Sequence, residues 1–98
     1  MKYVSINGTT AVIKVDGRYD LCNTRDVVAE AETALMDKGC NSIVVDFENT
    51  TYFDSSVIRD LTRLRRKIKP EHFSARNATG KVLEMLRLAK LDSWLQNA

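Results

Sequence analysis

Asp54, Ser55 and Ser56 stand together in NTTYFDSSVIRDLTRL, residues 49–64, after the strand-like run SIVVDF and before an apolar pattern at helical spacing. An acid and two hydroxyls at the mouth of a helix have two physical readings. All three residue types are preferred helix caps, and a cap contributes about 1 kcal/mol with no chemistry attached. A hydroxyl there is also a chemical address, beside unsatisfied backbone N–H groups and at the end of the sheet where α/β folds present their sites. The readings are compatible, since Asp54 can cap while Ser55 stays exposed. Further along, Arg59, Arg63, Arg66 and Lys67 fall at i, i+4, i+7 and i+8 and form one basic stripe. That stripe suits an acidic partner or a phosphate, or else is a solvated face partly neutralised by Asp60 and favoured by the helix dipole. It carries no interleaved aromatics, so nucleic acid is not an expected partner.

Other chemistry is poorly provided for. Neither serine sits in a GxSxG elbow, and a hydrolytic triad would have to recruit His72, the only histidine. A small serine hydrolase is therefore the weaker reading, and no catalytic activity is expected. Asp46 and Glu48 have no metal-ligand partners nearby in sequence, and Cys22 and Cys40 match neither a redox pair nor a zinc set. The glycines at Gly8, Gly17, Gly39 and Gly80 are too scattered for a phosphate loop. Neither a cofactor nor a metal is expected.

The elements that must position the Asp-Ser-Ser segment follow from patterning. With 98 residues, 44% hydrophobic and 29% charged, the chain is expected to form a single domain over residues 1–98. A formal charge of +2 points to no polyanion partner. No apolar stretch approaches the ~20 residues of a membrane span, and Met1-Lys2 leads straight into an alternating segment, so a cytoplasmic domain without a signal peptide is expected.

Alternation predicts antiparallel strands at Lys2–Ile6 and Ala11–Val15, with Asn7-Gly8 turning between them. A helix follows in NTRDVVAEAETALMDKG, capped by Asn23 or Thr24. Val27, Val28, Ala31, Leu35 and Met36 mark its inner face, Asp26 and Glu30 suit its dipole, and Lys38-Gly39 stops it. SIVVDF reads as a strand covered on both faces. After a turn at residues 49–52, a second helix runs on Val57, Ile58, Leu61, Leu64, Arg65 and Ile68 until Lys69-Pro70. HFSAR predicts a strand, and a third helix from Asn77 turns Val82, Leu83, Leu86 and Ala89 inward. The expected class is α/β: a single mixed sheet opened by a β-hairpin, with helices packed on it.

SIVVDFENTTYFDSSVIRDLTRL resembles the hallmark stretch of STAS domains, the family of anti-sigma-factor antagonists and of the cytoplasmic domains of sulfate transporters. VDGRYD is similar to that family's Gly-x-Leu-Asp phrase, and FSARNATGKVLEMLRLAKLDSWL to its closing strand, helix and Leu-Asp phrase; the resemblance runs from about Val4 to Leu95. It implies a protein-interaction switch, with Ser55 as the residue phosphorylated by a partner anti-sigma-factor serine kinase. The unmodified form would bind that kinase and the modified form release it. Asp54, Ser55, Ser56, Val57, Arg59 and Arg63 would form the docking surface. The alternative within the family is a non-phosphorylated scaffold or a component of a membrane transport system.

Three departures carry expectations of their own. Val57 stands where the family usually has glycine, and is expected to fill space a glycine leaves to a docked partner. Lys90 replaces a helix-ending glycine before Leu91. The C-terminus, DSWLQNA, is short of the family's fifth strand and last helix. Trp94 and Leu95 are then a stub of that strand, with Trp94 tucked against the third helix, or exposed and favouring self-association such as a homodimer.

Overall fold

In the computed structural model, which describes residues 1–95, the chain opens with the hairpin that Asn7-Gly8 announces, displaced by one residue. Strands β1 (Val4–Asn7) and β2 (Thr10–Lys14) pair antiparallel with Asn7 opposite Thr10, so the turn residues are Gly8 and Thr9. Gly8 has φ 64 and Thr9 a negative φ, the pattern of a II′ turn, which wants glycine first. Helix α1 (Leu21–Asp37) returns the chain to β4 (Ser42–Asp46), which lies parallel to β2, and β6 (Phe73–Arg76) lies parallel to β4. The order β1-β2-β4-β6 makes one mixed four-stranded sheet, so the expected α/β class holds.

Alternation supplies the core. Ala11, Ile13, Ile43, Val45, Phe73 and Ala75 are buried, one residue in two along each strand. From α1 come Val27, Ala31 and Ala34, and from α2 (Ser55–Arg65) come Val57, Leu61 and Leu64. The expected inner faces need correction at their edges. Met36 is 81% exposed, because Ala34 takes the inward position one turn beyond Ala31. Ala89 is exposed past the end of α3 (Gly80–Leu88), which buries Val82 and Leu86, while Leu83 is only half-buried. Val44 is half-buried, so β4 is fully covered on one face only. Helix α2 ends at Arg65 with Arg66 as its C-cap, before Lys69-Pro70 is reached, and Pro70 starts a 3-10 turn instead.

Two short strands were not expected. Residues 49–52 are not simply a turn, because β5 (Thr50–Phe53) pairs parallel with β3 (Gly17–Tyr19) as a separate two-stranded ladder. The Thr50 hydroxyl donates to the Val15 carbonyl at 2.7 Å and the Gly17 N–H to the Asn49 carbonyl at 2.8 Å, which satisfies polar groups that would otherwise keep this segment at the surface. Phe53 is buried and stacked on Phe47, with ring centroids 5.6 Å apart. Glu30, expected to serve the helix dipole, accepts the backbone N–H groups of Tyr3 and Val4 at 2.8 and 3.0 Å and covers the start of the edge strand.

The two C-terminal departures have plain geometries. Trp94 is 3% exposed and meets Phe73 of β6 edge-on, with centroids 5.0 Å apart, while Leu95 bridges Ala75 in parallel. The strand stub thus exists as one bridge, and the indole seals β6; residues 96–98 lie outside the described residues. Lys90 holds φ 59, with Leu91 N–H on the Leu86 carbonyl and Lys90 N–H on the Arg87 carbonyl, a Schellman cap with lysine at the left-handed position. Lys90→Gly is therefore expected to stabilise the fold by about 0.5–1 kcal/mol, seen as a higher urea midpoint at unchanged m. An unchanged or lower midpoint would contradict that reading of the cap.

Candidate partner-docking site

The site is built by two parallel strand ends. In the β3–β5 ladder Tyr19 lies opposite Phe53, so Asp20 and Asp54 leave the ladder side by side, each in extended conformation and each capping the helix that follows. Asp20 accepts from Cys22 N–H and forms a capping box with Asn23, so α1 begins two residues before the expected cap. Asp54 Oδ1 accepts Ser56 N–H at 3.1 Å, Val57 N–H at 3.3 Å and the Ser56 hydroxyl. Burial pushes the Asp54 carboxyl up, but the Ser56 hydroxyl and the N–H groups of Val57, Leu21 and Ser56 outweigh it and hold it below the ordinary value of 3.8. The influence of the Leu21 N–H on this carboxyl places the start of α1 beside the cap of α2.

The adjacent hydroxyls now differ in kind. Ser56 is half-buried and its hydroxyl belongs to Asp54. Ser55 is exposed at the first residue of α2, and its hydroxyl makes no hydrogen bond among the described residues. Capping and exposure have thus been divided between Asp54 and Ser55. Val57 is 0% exposed, with its side chain in the core. It takes no space on the outer surface, against the expectation that it crowds a partner, and contributes no side chain to a docking face.

The basic stripe flanks this site and is only partly neutralised. Arg59 pairs with Asp60 at 3.6 Å and Lys67 with Glu32 of α1 at 3.3 Å. Arg63 and Arg66 are exposed, with no ion pair among the described residues. Asp60 also accepts the hydroxyl of Thr24, a buried residue of α1, at 3.1 Å, which pins the two helices together beneath the stripe. Tyr19 lies under the same place, 1% exposed, and burial pushes its phenol well above the ordinary range.

The remaining candidates are engaged elsewhere. His72 Nδ1 lies 3.1 Å from the Asn41 carbonyl oxygen. Asp46 and Glu48 diverge: Glu48 pairs with Lys14 at 2.9 Å, whereas Asp46 accepts Glu48 N–H, Arg76 Nε and Asn77 Nδ2. Burial pushes the Asp46 carboxyl up, and those partners more than reverse it. Both cysteines are free thiols, Cys22 exposed and Cys40 buried. Among the described residues no three His, Cys, Asp or Glu side chains gather as metal ligands, and no helix is long and apolar enough to cross a membrane.

Sequence reasoning passed over one surface beside Ser55. Leu21 is 66% exposed at the first residue of α1, and the Arg18 guanidinium lies 4.4 Å from the Tyr52 ring centre. A large apolar residue directly after the capping Asp20 was the available signal, since the outer face of a first turn is normally polar.

The family model described as "Mlab, STAS domain" matches residues 3–97. Comparison with curated proteins finds no match. Among solved structures, the anti-sigma factor antagonist SpoIIAA in its unphosphorylated form is 19% identical with a TM-score of 0.74, covering 97% of this chain and 86% of that one. The Bacillus cell fate determinant SpoIIAA in the phosphorylated form gives 19% and 0.73, with 97% and 88% covered. An anti-sigma factor antagonist from Mycobacterium paratuberculosis gives 17% and 0.78, with 97% and 83% covered. Likeness at these identities is likeness of fold.

Proposed function

The chain belongs to the STAS domain family, and on that premise we propose that it is a protein-interaction switch of the anti-sigma-factor antagonist type, controlled by phosphorylation of Ser55. The observation that carries this is the exposed, unbonded Ser55 hydroxyl directly after an Asp54 already committed to the cap. The unmodified face of Asp54, Ser55, Ser56, Arg59 and Arg63 docks on an anti-sigma-factor serine kinase in the cytoplasm. Phosphate on Ser55 adds about −1.5 to −2 charge next to an ionised Asp54, and that charge, desolvated against a docked surface, ends the binding. Because Ser56 and Val57 keep their bonds to Asp54, the switch needs no refolding of α2. The chain acts by binding and performs no catalysis of its own.

The test is phosphorylation of the purified chain, with ATP, by a kinase-type anti-sigma factor from the same genome, followed by mass mapping. One phosphate on Ser55, absent from Ser55→Ala, is expected. Phosphate on Ser56, or none, would contradict the switch. A STAS scaffold that works unphosphorylated, beside a membrane transport system or otherwise, is the second reading, and the STAS family match accommodates it equally.

A further inference from the structure

An open groove of about 1050 Å³ runs between α1 and α2, starting near the Asp54 cap and with Ser55 outside its lining. Its apolar lining is Leu64, buried at the base, with Val28, half-buried, and Leu21 and Ala29, both exposed. Five cations line it against three acids: Arg25, Arg59, Arg63, Arg66 and Lys67 against Asp26, Glu32 and Asp60. Arg59 and Lys67 are spent on Asp60 and Glu32, which leaves Arg25, Arg63 and Arg66 facing Asp26 as the one acid without an ion pair among the described residues.

Resting on the reading of this chain as a protein-binding module, we infer that the α1–α2 groove is where its partner docks, and that the docking segment is an acidic amphipathic helix. Three features select that occupant. The floor is apolar and the rim basic, so a ligand needs an apolar stripe flanked by carboxylates, which is what such a helix presents. The walls, residues 21–32 of α1 and 59–67 of α2 and the turn that follows it, give a trough of about two to three helical turns at 1.5 Å per residue. The surplus of arginine over lysine favours bidentate pairing with carboxylates. One end of the groove, at Leu21 and Arg59, lies beside the Asp54 cap, since Leu21 directly follows Asp20, which leaves the β3–β5 ladder next to Asp54. A phosphate on Ser55 would set negative charge at the mouth of a groove that accepts negative charge, which gives the switch a second lever beside local repulsion.

The probe is a synthetic helical peptide of about four turns, with leucines at i, i+3, i+4 and i+7 and glutamates elsewhere, beside a twin with every glutamate replaced by lysine. Amide chemical shifts of the isotope-labelled full chain are followed during titration. Shifts confined to residues 21–32 and 59–67, for the glutamate peptide alone and weakening with salt, are expected. Arg63→Glu with Arg66→Glu should weaken binding about tenfold or more, whereas Lys81→Glu with Arg87→Glu on α3, the same change in net charge, should leave it within about twofold. No shifts, shifts elsewhere, equal binding of the lysine twin, or equal loss from the α3 pair would each overturn the inference. The titration needs neither kinase nor phosphate, so a chain never phosphorylated at Ser55 would still reveal the groove.

Discussion

Trp94→Ala is expected to destabilise the protein by about 3–5 kcal/mol, a large share of the 5–15 kcal/mol that holds such a domain together. The indole is 3% exposed and packs edge-on against Phe73, itself 4% exposed on the last strand of the sheet. Truncation leaves an indole-sized void beside β6 and loosens the Ala75–Leu95 bridge that follows it. Urea denaturation of wild type beside Trp94→Ala and Trp94→Phe measures this. Phenylalanine should recover much of the loss, because it restores an aromatic edge against Phe73. A loss below about 1 kcal/mol for the alanine variant would mean that the segment after α3 is no part of the folded core. As the only tryptophan, Trp94 also reports on itself, and its emission should be that of a buried indole that turns polar only on unfolding.

Asp54→Ala is expected to cost about 1–2 kcal/mol and to reduce the sensitivity of the fold to acid. The variant leaves the N–H groups of Ser56 and Val57 without their cap. The pH dependence has a definite sign. The folded pKa of Asp54 lies below 3.8, so its contribution is complete above the ordinary carboxylate range and is lost as pH falls through the folded value. Asp46 acts in the same direction through Glu48, Asn77 and Arg76. Wild type should therefore lose stability as pH falls below about 5 and on through the lowered folded values, and Asp54→Ala should lose less on the same descent, because only the Asp46 share remains. Asp54→Asn, which keeps a capping oxygen but no charge, should fall between the two at neutral pH. An alanine variant with the full wild-type acid loss would show that Asp54 is not a working cap.

What could be read from the sequence was what local chemistry decides. Asn7-Gly8 demanded a hairpin, and the spacing of Val57, Leu61 and Leu64 demanded a helix with that inner face; both are present, the turn displaced by one residue because glycine is needed at its first position. Alternating strand and helix patterns supplied the α/β arrangement and the order of most of its elements, and the STAS resemblance agreed with them. The β3–β5 ladder was hidden, since strands of three and four residues are too short for a period and Thr50 and Thr51 read as a polar turn until Val15 appears as the acceptor of the Thr50 hydroxyl. That ladder is what sets Asp20 beside Asp54, so the pairing of the two helix starts was hidden with it. Trp94 was undecided for the same reason: its neighbour, Phe73, lies across a helix from it in sequence. At the site, Ser55 was legible from residue type and position and Val57 from its place on the inner face of α2, whereas the groove that exposed Leu21 lines depends on how α1 and α2 lie together.

On the proposed reading, the state of Ser55 decides partner binding. The most direct measurement is a pull-down from lysate of the source organism on wild-type protein beside Ser55→Asp, with mass spectrometry of what each retains. A kinase-type anti-sigma factor held by wild type and lost with Ser55→Asp is the predicted result. Retention of the same proteins by both, or of transport components alone, would contradict it and leave Asp54, Ser55 and Ser56 as a helix start put to structural use.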